Sequence, residues 1–162
     1  MDAVSTFKNE LLKELEVGIR SMTGLLEKVK PKDWDYRPAA NMRTLQELAW
    51  HIIAIPEVDL NIWLEKDQAT IKELESKYEH ITSTEEMIRA MNDGYQQYKA
   101  AMLALSDEDF LTKKTTPFYL EKGEPMVHWL VEEVSHLFHH RAQFFNYLKQ
   151  LGYDVSMSDL YV

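Results

Sequence analysis

No cysteine occurs in the 162-residue chain. Disulfides, thiolate metal ligands and a cysteine nucleophile are therefore all excluded. Glycine and proline are scarce, five of each, which leaves long stretches free to run as helix. No apolar run approaches the roughly 18 residues that a membrane span needs. The opening MDAVSTFKNELLKEL is amphipathic and lacks the apolar centre of a secretory signal. A membrane partner is not expected, and a cytoplasmic location is. Basic residues are also in deficit: 18 Lys and Arg stand against 27 Asp and Glu, for a net charge of −9. Such a surface repels phosphate backbones and no basic stripe offsets it, so nucleic acid is not expected among the partners.

What the chain does have is helical periodicity. Four segments repeat apolar residues at a period near 3.6. The first runs from about Val4 to Val29, with Phe7, Leu11, Leu12, Leu15, Ile19, Met22, Leu25 and Leu26 on one stripe, and Pro31 ends it. The second starts after Thr44, whose spacing to Glu47 is that of a capping box, and runs to about Lys66 with Pro56 inside it. The third, capped by Ser83 or Thr84, carries Ile88, Met91, Tyr95, Tyr98, Met102 and Leu105. The fourth begins near Pro125 and stops at Gly152. No repeat or linker divides the chain, so residues 1–162 read as one all-α domain, a four-helix bundle. The connection DQATIKELESKYEHITS is longer than most in bundles and permits a crossover that leaves the second and third helices parallel.

The fourth segment holds the chemistry. His136 and His140 lie four residues apart, and on a helix with about 100° per residue they point to the same side. Two such imidazoles suit adjacent positions on one metal ion. A third, His51 from the second helix, would leave a coordination position open, as in catalytic zinc sites. His139 stands close enough in angle to replace His140, and spacing alone does not choose between them. His80 and His128 have no companions and are expected to be surface or structural residues. Glu47, one turn before His51, is placed to orient its ring, or else serves only the helix start. With Val134 as reference, Val127, Val131, Phe138 and Phe145 form the expected core stripe. Trp129, His136, His140 and Tyr147 lie opposite, so the helix is apolar on two sides; one side faces the core and the other a cleft or a second subunit, and spacing does not assign which is which. The zinc-protease motif HExxH is absent, and Glu133-Val-Ser-His136 is a lone Glu-x-x-His where a di-metal bundle needs two. No nucleophile elbow of the Gly-x-Ser-x-Gly type occurs.

Two motifs together resemble one family. Trp34-x-x-Arg37-Pro38 precedes a helix carrying Leu48-x-x-His51, and His136-x-x-x-His140-Arg141-x-Gln143 follows near the end. Their order and spacing resemble those of the DinB/YfiT-like proteins. The resemblance implies an up-down-down-up bundle and one divalent ion, Zn, Ni, Fe or Mn, held by His51, His136 and His140. It favours His140 over His139, because the family's ligand immediately precedes the Arg. It further implies a homodimer and a small-molecule substrate. Members include transferases that use a low-molecular-weight thiol such as bacillithiol. The expected activity is thus a metal-dependent thiol S-transferase or hydrolase; the alternative is a non-catalytic, metal-stabilised dimer in stress response. Arg141 is expected either to anchor a substrate carboxylate or to serve structure. Ala142 stands where many members have Gly.

Overall fold

The computed structural model describes residues 3–162. In chain order its elements are α1 (Ala3–Lys28), α2 (Leu45–Trp63), α3 (Gln68–Tyr78), α4 (Thr84–Ala104), α5 (Asp107–Thr112), strands β1 (Lys114–Thr115) and β2 (Glu124–Pro125), and α6 (Met126–Gln150). Short 3-10 turns occupy Pro31–Asp33 and Met157–Asp159. Most of the helices begin at a side-chain cap. Thr44 and Glu47 form a reciprocal capping box, with Oγ1 accepting from the Glu47 N–H at 3.0 Å and the Thr44 N–H donating to Glu47 Oε2 at 2.7 Å. Asp67, Ser83 and Ser106 cap α3, α4 and α5 through the amides of Thr70, Glu86 and Asp109. Each bond satisfies an amide that the first helical turn leaves without a partner.

The four long helices, α1, α2, α4 and α6, enclose the core, and their contacts give their directions. Tyr95 donates to Glu16 at 2.9 Å and Lys8 to the Leu105 carbonyl at 2.8 Å, so α1 and α4 are antiparallel. Along α2 and α4, Trp50 meets Ile81, Glu57 meets Gly94 and Trp63 meets Tyr98, so these two are parallel. Gly18 packs on Leu137 and Phe138 while the Lys30 N–H donates to Tyr153, so α1 and α6 are parallel. The topology is up-down-down-up.

That topology needs a segment that carries the chain back along the bundle between α2 and α4. The long connection does so, and it is helical. α3 buries Ile71 and Tyr78 and is tied to α2 by Lys77 Nζ to Glu57 Oε2 at 2.8 Å and by a hydrogen bond from the Tyr78 hydroxyl to Glu57. The segment between α4 and α6 is likewise ordered, as α5 followed by a two-stranded antiparallel ribbon.

The faces of α6 differ from the expectation. Trp129, Leu130, Glu133, Leu137, His140, Arg141, Phe144, Tyr147 and Leu148 are buried. The Val134 stripe is not the core: Val131 is 46% exposed, and Val127, Val134 and Phe145 are only partly covered. Trp129 and Tyr147 offer no free face to a second subunit, because the same chain covers both. Trp129 Nε1 donates to Thr115 Oγ1 in the ribbon at 2.9 Å, and Tyr147 donates to the Arg43 carbonyl at 3.1 Å with its ring against Tyr36. Periodicity finds a helix with two apolar sides but carries no information about which loops will fold over one of them.

α2 and α4 approach closely at Gly94, where an added Cβ would lie 3.1 Å from the backbone nitrogen of Glu57. A backbone atom cannot move aside as a side chain can. Gly94→Val is therefore expected to destabilise by about 1–3 kcal/mol. Gly24, also helical but with nothing within 4 Å of an added Cβ, is expected to gain about 0.5–1 kcal/mol as Ala. Urea unfolding of the two variants checks both signs.

Candidate metal centre

His51 lies on the second turn of α2, held in place by the capping box one turn earlier. His136 and His140 occupy successive turns of α6. Because α2 and α6 are antiparallel, Asp59 meets His136, His51 meets His140 and Arg43 meets Tyr147. This register brings the three rings together. One nitrogen from each of His51, His136 and His140 falls within 4.8 Å of the others, and His51 Nε2 lies 2.9 Å from His140 Nε2. Metal–nitrogen bonds of about 2.0–2.1 Å place two ligands of a tetrahedral ion roughly 3.3 Å apart. The observed spacings bracket that value.

The outer nitrogens are occupied. His136 Nδ1 lies 2.7 Å from Asp59 Oδ2, and His140 Nδ1 lies 2.8 Å from Gln143 Oε1. Both partners are acceptors, so each Nδ1 carries the proton and each Nε2 keeps its lone pair for an ion. Against the His140 lone pair, His51 holds its own proton on Nε2, and ligation would require that proton to leave or to shift to Nδ1.

The electrostatics favour neutral rings at His51 and His140. Burial first, then the proximity of His140 and Arg43, pushes His51 down to about 3. Burial, with neighbouring His136, brings His140 down to about 4. Burial is the largest influence on His136 and acts downward, but the hydrogen bond to Asp59 and the charges of Asp59 and Glu132 together outweigh it and raise the imidazole above its usual value. A cleft of about 630 Å³ opens beside the trio, walled by Trp50, Val58 and Ile62 of α2, by Glu75 and Glu79, and by Arg43.

Of the remaining expected residues, Glu47 lines the cleft without touching the trio, and the others fall elsewhere. Glu47 does not orient His51: its carboxylate receives the Thr44 amide and lies 3.2 Å from Arg37 Nη2. Arg141 is buried, donates to the Leu160 carbonyl at 2.8 Å and covers the Phe138 ring at 3.9 Å, so it pins the C-terminal segment and does not face the cleft. His139 is exposed and within 3.2 Å of Gln143 Nε2, His128 lies 3.3 Å from Glu132, and His80 is exposed. Sequence reasoning missed Asp59 and Arg43. No spacing rule links Asp59 to a histidine 77 positions later; only the pairing of α2 with α6 does. Gln143 was visible within the motif, at i+3 from His140, without its role.

A model of the DinB family matches residues 4–162, and the chain belongs to the DinB family. Among solved structures it is similar to a protein from Exiguobacterium sibiricum assigned to that family, at 26% identity and a TM-score of 0.80, covering 98% of this chain and 99% of that one. It is also similar to YfiT from Bacillus subtilis, described as a probable metal-dependent hydrolase with an unusual four-helix bundle topology. There the identity is 15% and the TM-score 0.71, over 91% of this chain and 89% of that one. A third is the colibactin self-resistance protein ClbS, solved in complex with double-stranded DNA, at 15% identity and a TM-score of 0.64, over 88% and 95% of the two chains. No curated protein matches by sequence. The ClbS complex overturns the exclusion of nucleic acid made from net charge. A protein of this fold is seen on duplex DNA, and net charge averages over a surface whose local patches make such contacts. Among the described residues no helix is long and apolar enough to cross a membrane.

Removing the Asp59 carboxylate frees the His136 ring to rotate. Asp59→Asn is expected to weaken divalent-metal affinity by about 10–100-fold, while Glu47→Gln leaves it unchanged; isothermal titration measures both. The lowered His51 value has a second consequence. In metal-free protein this group contributes stability at pH 7 that is lost as pH falls below about 6.5, because the unfolded state then binds a proton the folded state refuses. Between pH 7 and 5 the stability difference between the parent chain and His51→Gln should shift towards the variant, by up to about 1.4 kcal/mol per pH unit. Chemical denaturation in the presence of chelator tests the sign.

Proposed function

We propose that this chain is a metal-dependent enzyme acting on a small molecule, with His51, His136 and His140 holding one divalent ion at the inner end of the cleft. The observation that carries the reading is the convergence of three imidazole nitrogens within 4.8 Å, with Asp59 and Gln143 on the outer nitrogens of His136 and His140. The donor set fits Zn, Ni, Fe or Mn. A divalent ion on three neutral imidazoles lowers the pKa of a coordinated water or thiol towards neutrality and so supplies a nucleophile. The chain has no cysteine of its own, which agrees with either water or an external low-molecular-weight thiol as that nucleophile. The likeness to YfiT supports hydrolysis, and the family resemblance supports thiol transfer.

The chain's own residues have separable tasks. Asp59 and Gln143 fix the orientation of two rings, and their hydrogen bonds keep the protons on the outer nitrogens. Val58, Ile62 and Trp50 give the cleft an apolar wall against which a substrate body excludes water. Arg43 supplies a cation at its mouth for an anionic group. Metal analysis of protein purified without an affinity tag is expected to give one divalent ion per chain. Replacing His51, His136 or His140 with Ala should abolish that ion, and replacing His80, His128 or His139 should not. The metal-loaded protein should then turn over activated esters or amides, or thiol conjugates when a thiol is added. An ion that raises the melting temperature without turnover of either class would leave a structural metal site and contradict catalysis.

A further inference from the structure

A smaller cavity of about 150 Å³ adjoins the main cleft, and Asp59, Ile62 and His136 belong to both walls. Its other walls are Trp63, Tyr119, Trp129, Glu132 and Glu133. Glu133 is 1% exposed and Trp63 is 4% exposed. Both carboxyl oxygens of Glu133 and the indole N–H of Trp63 are buried without a hydrogen-bond partner of normal geometry among the described residues. An isolated buried carboxyl is costly to leave so, and native structures rarely tolerate it without a purpose.

The charges around this cavity are lopsided. Three carboxyl groups line it and no Lys or Arg does. Asp59 is already engaged with His136, and Glu132 faces His128. Glu133 has no basic counterpart; its neighbour is the Asp59 carboxylate, and burial together with that neighbour pushes the Glu133 carboxyl well above the usual carboxylate range. No Lys or Arg answers the Glu133 carboxyl within this cavity. A lining that combines the aromatic rings of Trp63, Tyr119 and Trp129 with carboxyl groups provides the surroundings that an organic cation prefers. A second divalent metal suits it less, since the ligating set of three found among the described residues is the histidine trio. The volume equals that of roughly five water molecules, enough for an alkylammonium of a few carbons and too little for a long polyamine.

We propose that this cavity is the subsite for a protonated amine of the substrate, with Glu133 as its counter-ion and Trp63, Tyr119 and Trp129 as its walls. The inference extends the metal-centre reading, on which it rests for its purpose, by naming the substrate class. The substrate is a small amine whose cationic end sits beside Asp59 and His136 while its reactive end reaches the trio.

Cation binding is measurable without turnover. The full chain, with and without one equivalent of Zn²⁺, is titrated with n-propylammonium chloride and with n-propanol at matched ionic strength. The indole N–H resonances are followed by NMR, and Trp63→Phe assigns the Trp63 signal. The expected result is a saturable shift of the Trp63 resonance with the ammonium ion and none with the alcohol, in both metal states. Glu133→Gln should weaken binding by about tenfold or more, and the surface change Glu10→Gln should not. Equal binding of the alcohol overturns the proposal on the parent chain alone, whatever the variant does. So does the absence of saturation at an ammonium concentration on the order of 100 mM, or a folded Glu133→Gln chain that binds as the parent does. Zinc stoichiometry is read separately, so failure of the metal site and failure of the amine site are distinguishable.

Discussion

The antiparallel contact between α2 and α6 governs the geometry of the candidate metal site. It sets two neutral imidazoles 2.9 Å apart in a partly desolvated place, with a third one turn along α6. A shift of one residue in this register would turn His51 about 100° away from His140 and break the Asp59–His136 bond as well. The bundle protects the register from several directions. The capping box starts α2 at a defined residue, Tyr147 ties α6 to the loop before α2, and Gly94 lets α4 press against the middle of α2. Topology and site are linked through the crossover. Because α2 and α4 are parallel, α3 must pack along α2, and the residues Glu75 and Glu79 of that segment become the far side of the cleft.

The electrostatics of the site follow from burial more than from charge. His51 and His140 are driven below their ordinary range chiefly because ionised rings would be poorly solvated there, whereas His136 is lifted by an adjacent carboxylate. Two of the three rings are thus neutral at neutral pH, and the third, His136, carries the carboxylate partner that metal-binding histidines commonly have. The acid-rich surroundings extend from Glu75 and Glu79 through Asp59 to Glu133, with Arg43 as the cation lining the main cleft. Such a field is the basis for the proposed preference for cationic and zwitterionic small molecules beside the three histidines. It says nothing against DNA on another face, as the ClbS complex cautions for this fold.

Much of this was legible in the residues. Helix boundaries came through where caps and stops are chemical: Thr44 with Glu47, Ser83, Pro31 and Gly152. The trio was legible because His136 and His140 share a helix face and a family motif links them to His51. The failures share one cause. Glu47 and Arg141 sit at positions that helical spacing allows for a site, but each is claimed by a nearer partner, Thr44 and Arg37 in one case and the C-terminal segment in the other. Asp59, Glu133 and the covering of Trp129 depend on which elements meet, and that is decided by packing across the bundle. Periodicity along one helix carries none of that information. The helical crossover was missed because α3 is short and mostly polar, with only Ile71 and Tyr78 buried.

X-ray absorption at the metal edge of Zn²⁺-loaded, tag-free protein tests the central claim most directly. The account predicts one ion per chain with three imidazole nitrogens at about 2.0–2.1 Å and an oxygen or thiol donor completing the shell. Loss of imidazole scattering is expected in His140→Ala and not in His139→Ala. A shell dominated by carboxylate oxygens, or an imidazole count that the His51, His136 and His140 replacements leave unchanged, would contradict it.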